Sequence, residues 1–202
     1  HAWHHAGVLY AQEPSASAPA ALLDVQPGMR VADLCAAPGG KTSQLAAALQ
    51  GQGLLLANEF VAARAEILRQ NLERMGVMNA VITNEDTARL AAAMPGQFDR
   101  VLVDAPCSGL GVMTDKPDLK YRVTDESIES LKAEQKKILD ACSSYVKVGG
   151  LLVYSTCSIL PEEKEKQVEE FLLNHPEFKP DEGDAWVPEK LKPRFRNGML
   201  AL

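Results

Sequence analysis

The stretch Arg30-Val31-Ala32-Asp33-Leu34-Cys35-Ala36-Ala37-Pro38-Gly39-Gly40-Lys41-Thr42 decides the fold. Arg30–Leu34 has the alternation and apolar weight of a buried strand, and Lys41–Leu49 has helical spacing. The turn between them is built from small residues, a proline and two glycines, which let the backbone approach a ligand closely. It is not a Walker phosphate loop, because Lys41-Thr42 fits but the first glycine of that motif falls at Cys35. It is not the dinucleotide GxGxxG fingerprint either.

Working outward, the pattern repeats. Leu54–Asn58 reads as a second strand, followed by a helix over Ala62–Met75 that Gly76 ends. Ala80–Thr83 is a third strand with a short helix near Thr87–Met94, and Arg100–Asp104 is a fourth. Asp125–Val146 has helical spacing and stops before Gly149-Gly150, after which Leu151–Ser155 forms a fifth strand. Pro161–Asn174 is a helix with proline at its start and acids in its first turn. Strands alternating with helices predict an α/β chain, a mostly parallel sheet with helices on both faces. Pro14–Leu23 is a capping helix ahead of it. The expected division is 1–24 as lead-in, 25–178 as the catalytic domain and 179–202 as an irregular segment.

Composition narrows the class. The 202 residues are 46% apolar, enough for a substantial core. No apolar run approaches the roughly 18 residues of a membrane span, and no signal peptide is visible, so a cytoplasmic protein without membrane association is expected. Cysteines at 35, 107, 142 and 157 form no CxxC pair, and the histidines add no metal-ligand spacing, so no metal is expected. Cys142, mid-helix, reads as a small buried hydrophobe. The net charge of −6 counts against a nucleic-acid binder. A basic cluster from Lys116 to Arg122, and a separate RNA-binding domain elsewhere in the protein, would offset it. The chain starts at His1 rather than Met and is read as a piece of a longer one.

In open parallel sheets, ligands sit beyond the carboxyl ends of the strands. After the first strand stand Cys35, Ala36, Ala37, Pro38, Gly39, Gly40 and Lys41. After the second comes Glu59, placed to accept from the two hydroxyls of a ribose, and after the third Asp86, placed to meet an adenine edge. Either acid alone reads first as a solvated surface charge. In this order behind the glycine-bearing turn they favour an adenosine-containing cofactor without phosphate, and S-adenosylmethionine fits.

The fourth strand is followed by Asp104-Ala105-Pro106-Cys107-Ser108-Gly109, the fifth by Thr156-Cys157-Ser158. Two thiols thus stand at the ends of adjacent strands. A cytosine ring carbon is too weak a nucleophile to take a methyl group, but a thiolate added to carbon 6 makes carbon 5 enamine-like. A donor near ring nitrogen 3 would stabilise the charge that develops. Asp104 is the candidate, protonated when it donates. One cysteine would attack and the other assist release, and spacing leaves open which does which.

These residues resemble the Sun family of RNA cytosine-5 methyltransferases, whose members include the bacterial ribosomal RNA enzymes RsmB and RsmF. The resemblance runs from about Gly7 to Phe178. It is carried by Gln12-Glu13-Pro14-Ser15, Asp33 to Thr42, Asp104 to Gly109, Pro117-Asp118-Leu119-Lys120 and Tyr154 to Ser158. It implies a Rossmann-like class I methyltransferase fold and an RNA substrate, ribosomal RNA first. It implies Cys157 as nucleophile, Cys107 as the residue that assists release, and Cys35–Lys41 with Glu59, Asp86 and Asp104 around the cofactor. Two departures stand out: Lys164 replaces the asparagine of a Glu-Glu-Asn-Glu run, and a closing strand is expected beyond Leu202. DNA cytosine methyltransferases attack with the Pro-Cys thiol instead. The alternatives are a tRNA or DNA cytosine methyltransferase, and a non-catalytic RNA-binding factor on the same fold.

Overall fold

A computed structural model describes residues 2–114, 117–181, 187, 189–190, 192–196 and 198–200, without the side chains of Lys120 and Arg196. The chain divides into two compact units, His1–Pro106 with Lys137–Ser155, and Cys107–Lys136 with Thr156–Leu202.

The first unit opens with α1 (Ala2–His5) and α2 (Pro14–Leu22). It continues with β1 (Arg30–Asp33), α3 (Gly40–Leu49), β2 (Leu54–Asn58), α4 (Ala62–Arg74), β3 (Ala80–Thr83), α5 (Thr87–Ala93) and β4 (Phe98–Asp104). The helix α6 (Leu119–Arg122) and the first part of α7 (Asp125–Ser143) fall in the second unit, while the end of α7 and β5 (Val146–Ser155) return to the first. All five strands pair in parallel, in the order β3-β2-β1-β4-β5.

The period of two along the strands sorts the core onto two faces. Val31, Leu55 and Leu102 pack with Leu23 near α2 and with Leu45 and Leu49 of α3. Ala57 meets Leu68 and Leu72 of α4 on that same side. Ala32, Leu56, Val101 and Val103 face the other way, toward Leu90 of α5, Phe98, Cys142 and Tyr145. The Tyr145 hydroxyl donates to the Thr87 carbonyl at 2.7 Å, so the one polar atom of that buried ring is met. On α4 the buried residues recur at helical spacing, while Arg69 on its wet side pairs with Glu66 and Glu73.

Two boundaries differ most from the sequence expectation. β5 begins at Val146, ahead of the glycine pair: Val146 pairs with Phe98, Leu151 pairs with Arg100, and the chain between loops out as a bulge with Gly149 at φ 78°. The helix expected from Pro161 is a 3-10 turn, Pro161–Glu163, then a break at Lys164 and α8 (Glu165–Asn174). The second unit holds that turn and α8, whose Phe171 stacks on His175. In the segment expected to be irregular, β6 (Phe195–Arg196) and β7 (Met199–Leu200) form a small antiparallel pair. Of the expected basic cluster, Lys116 lies outside the described residues and Arg122 pairs with Asp118 at 3.2 Å.

Candidate active site

Strand order sets where the first unit can bind a ligand. The chain runs from β1 outward to β3, then crosses to β4 on the other side of β1, so the order reverses between β1 and β4. Register brings the carboxyl ends level: Asp33 pairs with Ala57, Asn58 with Thr83 and Asp104 with Ser155.

The turn after β1 is held from several sides. Arg64 donates to the Ala37 carbonyl at 2.9 Å, Asn71 to the Pro38 carbonyl at 2.8 Å, and the Ala36 amide to the Asn58 carbonyl at 2.9 Å. Gly39 is at φ 108°, and a Cβ there would sit 3.2 Å from Leu68 Cδ1. A Cβ on Gly40 would sit 2.7 Å from Gln12 Oε1 and 3.1 Å from the Tyr10 ring. The close approach these glycines allow is therefore to the chain's own side chains, which the sequence reading had reserved for a ligand. Arg64, Asn71 and Gln12 were missed as supports of this turn. Gln12 alone carried a signal, in the motif at 12–15.

Lys41 reaches across the switch point and donates to Asp104 Oδ2 at 2.7 Å, while Ser155 donates to Asp104 Oδ1 at 2.6 Å. Both oxygens of Asp104 are acceptors here, one of them for an ammonium. Donation from Asp104 to a ring, the role expected from the sequence, would require giving up the Lys41 bond. Asp33 is fully buried, and its pKa is pushed up to about 7, first by burial and also by the Asp104 charge, against the hydrogen bond from Thr42 at 2.7 Å. Its Oδ1 is buried with no hydrogen-bond partner among the described residues. Burial, with the carboxylates of Asp33, Asp104 and Glu59, pushes the Cys35 thiol up, so it stays neutral.

Glu59 is buried, 3% exposed. Its Oε1 accepts the Val61 amide at 2.9 Å, and its Oε2 lies 3.5 Å from Arg64 Nη1 and makes no hydrogen bond among the described residues. A buried acceptor left open at the end of β2 is what a ribose-binding acid requires. Asp86 opens α5. It is exposed and is the N-cap of α5, its Oδ1 accepting the amides of Ala88 and Arg89 at 2.9 and 3.0 Å. An acid opening a helix serves as cap or as ligand, and here the capping role is filled.

In the second unit Cys107 Sγ and Cys157 Sγ lie 3.2 Å apart, both as free thiols. The hydrogen bond with Cys157, then burial, pushes the Cys107 thiol far up. Either sulfur can donate to the other, and Cys157 is the exposed one of the two. Gly111 donates its amide to the Cys157 carbonyl at 2.9 Å, and a Cβ there would come within 2.7 Å of that carbonyl. Glu163, Ser108, Ser158 and Gln135 form a buried polar cluster the sequence reading missed. Among the described residues, no group of three His, Cys, Asp or Glu could hold a metal ion, and no helix is long and apolar enough to cross a membrane.

A family model described as 16S rRNA methyltransferase RsmB/F matches residues 20–199. The ribosomal RNA small subunit methyltransferase F of Vibrio cholerae is 40% identical over 201 residues, 98% of this chain and 41% of that protein. The crystal structure of PH0851 superposes with a TM-score of 0.89 at 32% identity, covering 99% of this chain and 44% of that one. The crystal structure of NSun6 from Pyrococcus horikoshii with SFG does so with a TM-score of 0.78 at 31% identity, covering 85% and 44%. The chain spans about two fifths of the length of the relatives it matches.

Proposed function

This chain belongs to the 16S rRNA methyltransferase RsmB/F family, and from that premise we propose that it methylates carbon 5 of a cytosine in ribosomal RNA, with S-adenosylmethionine as donor, in the cytoplasm. The catalytic domain of that reaction is residues 25–178. The observation that carries the proposal is the thiol pair. One exposed cysteine, Cys157, lies 3.2 Å from a second, Cys107, whose thiol is pushed far up by that contact and by burial. An ordinary buried cysteine such as Cys142 makes no such pair.

The first unit's residues fit the donor. Glu59 Oε2 and Asp33 Oδ1 are buried acceptors without hydrogen-bond partners among the described residues, suited to ribose hydroxyls and to an ammonium respectively. Cys35 to Lys41 would form the floor of that site. When bound, S-adenosylmethionine supplies an electrophilic methyl group. The chain's own work is on the ring. The Cys157 sulfur forms a bond to carbon 6, and the electron pair displaced from the C5–C6 double bond makes carbon 5 nucleophilic. The charge spreading toward ring nitrogen 3 requires a donor. Within the first unit Lys41 commits one of its three N–H groups to Asp104. After methylation a base removes the carbon-5 proton, the C6–S bond breaks, and Cys157 leaves as thiolate. Cys107 assists this release.

The test is a single-turnover assay with the chain, S-adenosylmethionine and cytosine-containing ribosomal RNA. The expected product is 5-methylcytosine. Methylation of an exocyclic nitrogen, or of DNA in preference to RNA, would overturn the assignment, and binding of RNA without methyl transfer would favour a non-catalytic factor.

A further inference from the structure

The cluster beneath the two thiols is built around one buried acid. Glu163 ends the 3-10 turn after β5 and is fully buried. Its Oε1 accepts the Ser108 amide at 2.9 Å and the Gln135 side-chain amide at 2.9 Å. Its Oε2 accepts the Ser108 hydroxyl at 2.5 Å and the Ser158 hydroxyl. The two hydroxyls also meet each other at 3.1 Å. A carboxylate away from water is tolerated only when its lone pairs are met, and here four donors converge on two oxygens.

The donors are not arbitrary surroundings. Ser108 directly follows Cys107 and Ser158 directly follows Cys157. We propose that Glu163 is a positioning residue for the thiol pair: its carboxylate ties the residue after each cysteine to one point and so fixes the separation of the two sulfurs. This deepens, and rests on, the assignment of Cys107 and Cys157 as the reacting pair.

The charge state suits the role. Burial alone would raise the Glu163 pKa, but the hydrogen bonds from Ser108, Ser158 and Gln135 outweigh it and hold the carboxyl below its usual range. An ionised acid is needed, since only an acceptor on both oxygens satisfies an amide N–H on one side and hydroxyls on the other. The inward turn of Glu163 also accounts for the helix starting late. Its side chain is committed to the loops of the thiols, and the backbone breaks at Lys164, φ −125° and ψ −96°, before α8 begins.

The test is Glu163→Gln in the whole chain. Gln keeps the volume and one acceptor, but puts an NH2 where a second acceptor is required. Alkylation of Cys157 by iodoacetamide is followed by mass spectrometry from neutral to alkaline pH, with no RNA present. Calorimetry gives S-adenosylmethionine affinity, and steady-state methylation of ribosomal RNA gives kcat and KM. The expected result is Cys157 alkylation about tenfold slower near neutral pH, the loss of about one charge-assisted hydrogen bond, with the profile displaced to higher pH. Cofactor affinity is unchanged, and kcat falls while KM for RNA does not. Ser158→Ala removes a single bond to Glu163 and is expected to shift the profile the same way by less, which keeps the test open if Glu163→Gln fails to fold. An alkylation profile superimposable on wild type in both folded variants, or in Ser158→Ala alone where only that variant folds, would reduce Glu163 to a structural acid and overturn the proposal. Because alkylation is read without RNA, a wild-type chain that fails to methylate cytosine would sink the proposed reaction separately.

Discussion

Replacing Glu59 by Gln probes the donor site at one atom. The Val61 amide, 2.9 Å from Oε1, demands an acceptor there, so the Gln carbonyl takes that place and its NH2 occupies the Oε2 position. That position is buried, meets no hydrogen-bond donor among the described residues and lies 3.5 Å from Arg64 Nη1. The substitution converts an open acceptor into a donor facing ribose hydroxyls and a guanidinium. A hydrogen bond to a charged group contributes about 1.5–3 kcal/mol, and each 1.4 kcal/mol is about tenfold in affinity. S-adenosylmethionine should therefore bind about ten- to a hundredfold more weakly by calorimetry, with a thermal midpoint near that of wild type because the Val61 bond survives. An unchanged Kd in a folded variant would show that Glu59 does not hold the ribose.

Tyr145→Phe loses the bond to the Thr87 carbonyl. About 1 kcal/mol, or a fall of about 2–4 °C in melting temperature, is expected by differential scanning calorimetry. An unshifted midpoint would remove that bond from the account of the core. Asp33, raised to about 7, binds a proton in the folded state that it lacks when unfolded between its ordinary value of 3.8 and 7. Its contribution to stability is thus present at acid pH and lost as pH rises through about 7. Asp33→Asn should flatten the fall in melting temperature across that window, and an unaltered pH profile would contradict the assignment. Gly111→Ala drives a Cβ against the Cys157 carbonyl backbone, so Cys157 alkylation should slow with cofactor affinity unchanged, and equal rates would show that the loop gives way.

Where the chain follows local rules, the sequence was readable. β2 and β3 were found at their true bounds because apolar residues fill them and polar turns flank them. β5 started early because Gly149-Gly150, a turn signal by composition, is a bulge inside a strand, and pairing with β4 decides that. Pro161 and the acids after it carry every mark of a helix start, yet Glu163 faces inward to donors 55 residues away in sequence. No local pattern reports such a partner. Asp86 shows the opposite ambiguity, since an acid at a helix start is correctly placed for a cap and for a ligand alike. The two thiols were legible as a pair because adjacent parallel strands end level, but their S–H···S bond depends on the loops after them. The bond from Lys41 to Asp104 was not legible, because the two lie 63 residues apart and Lys41 had been assigned to the cofactor alone.

The central claim is a division of labour between two thiols 3.2 Å apart. It is tested most directly by mixing Cys107→Ala and Cys157→Ala with S-adenosylmethionine and ribosomal RNA, then running both on a denaturing gel. The attacking cysteine must bond covalently to a cytosine turned out of its stack. Cys107→Ala should attack, methylate and stall, giving a protein–RNA band of retarded mobility, while Cys157→Ala should give neither adduct nor methylated product. An adduct trapped in Cys157→Ala instead would make Cys107 the nucleophile, and activity retained in both variants without any adduct would return both cysteines to a structural role.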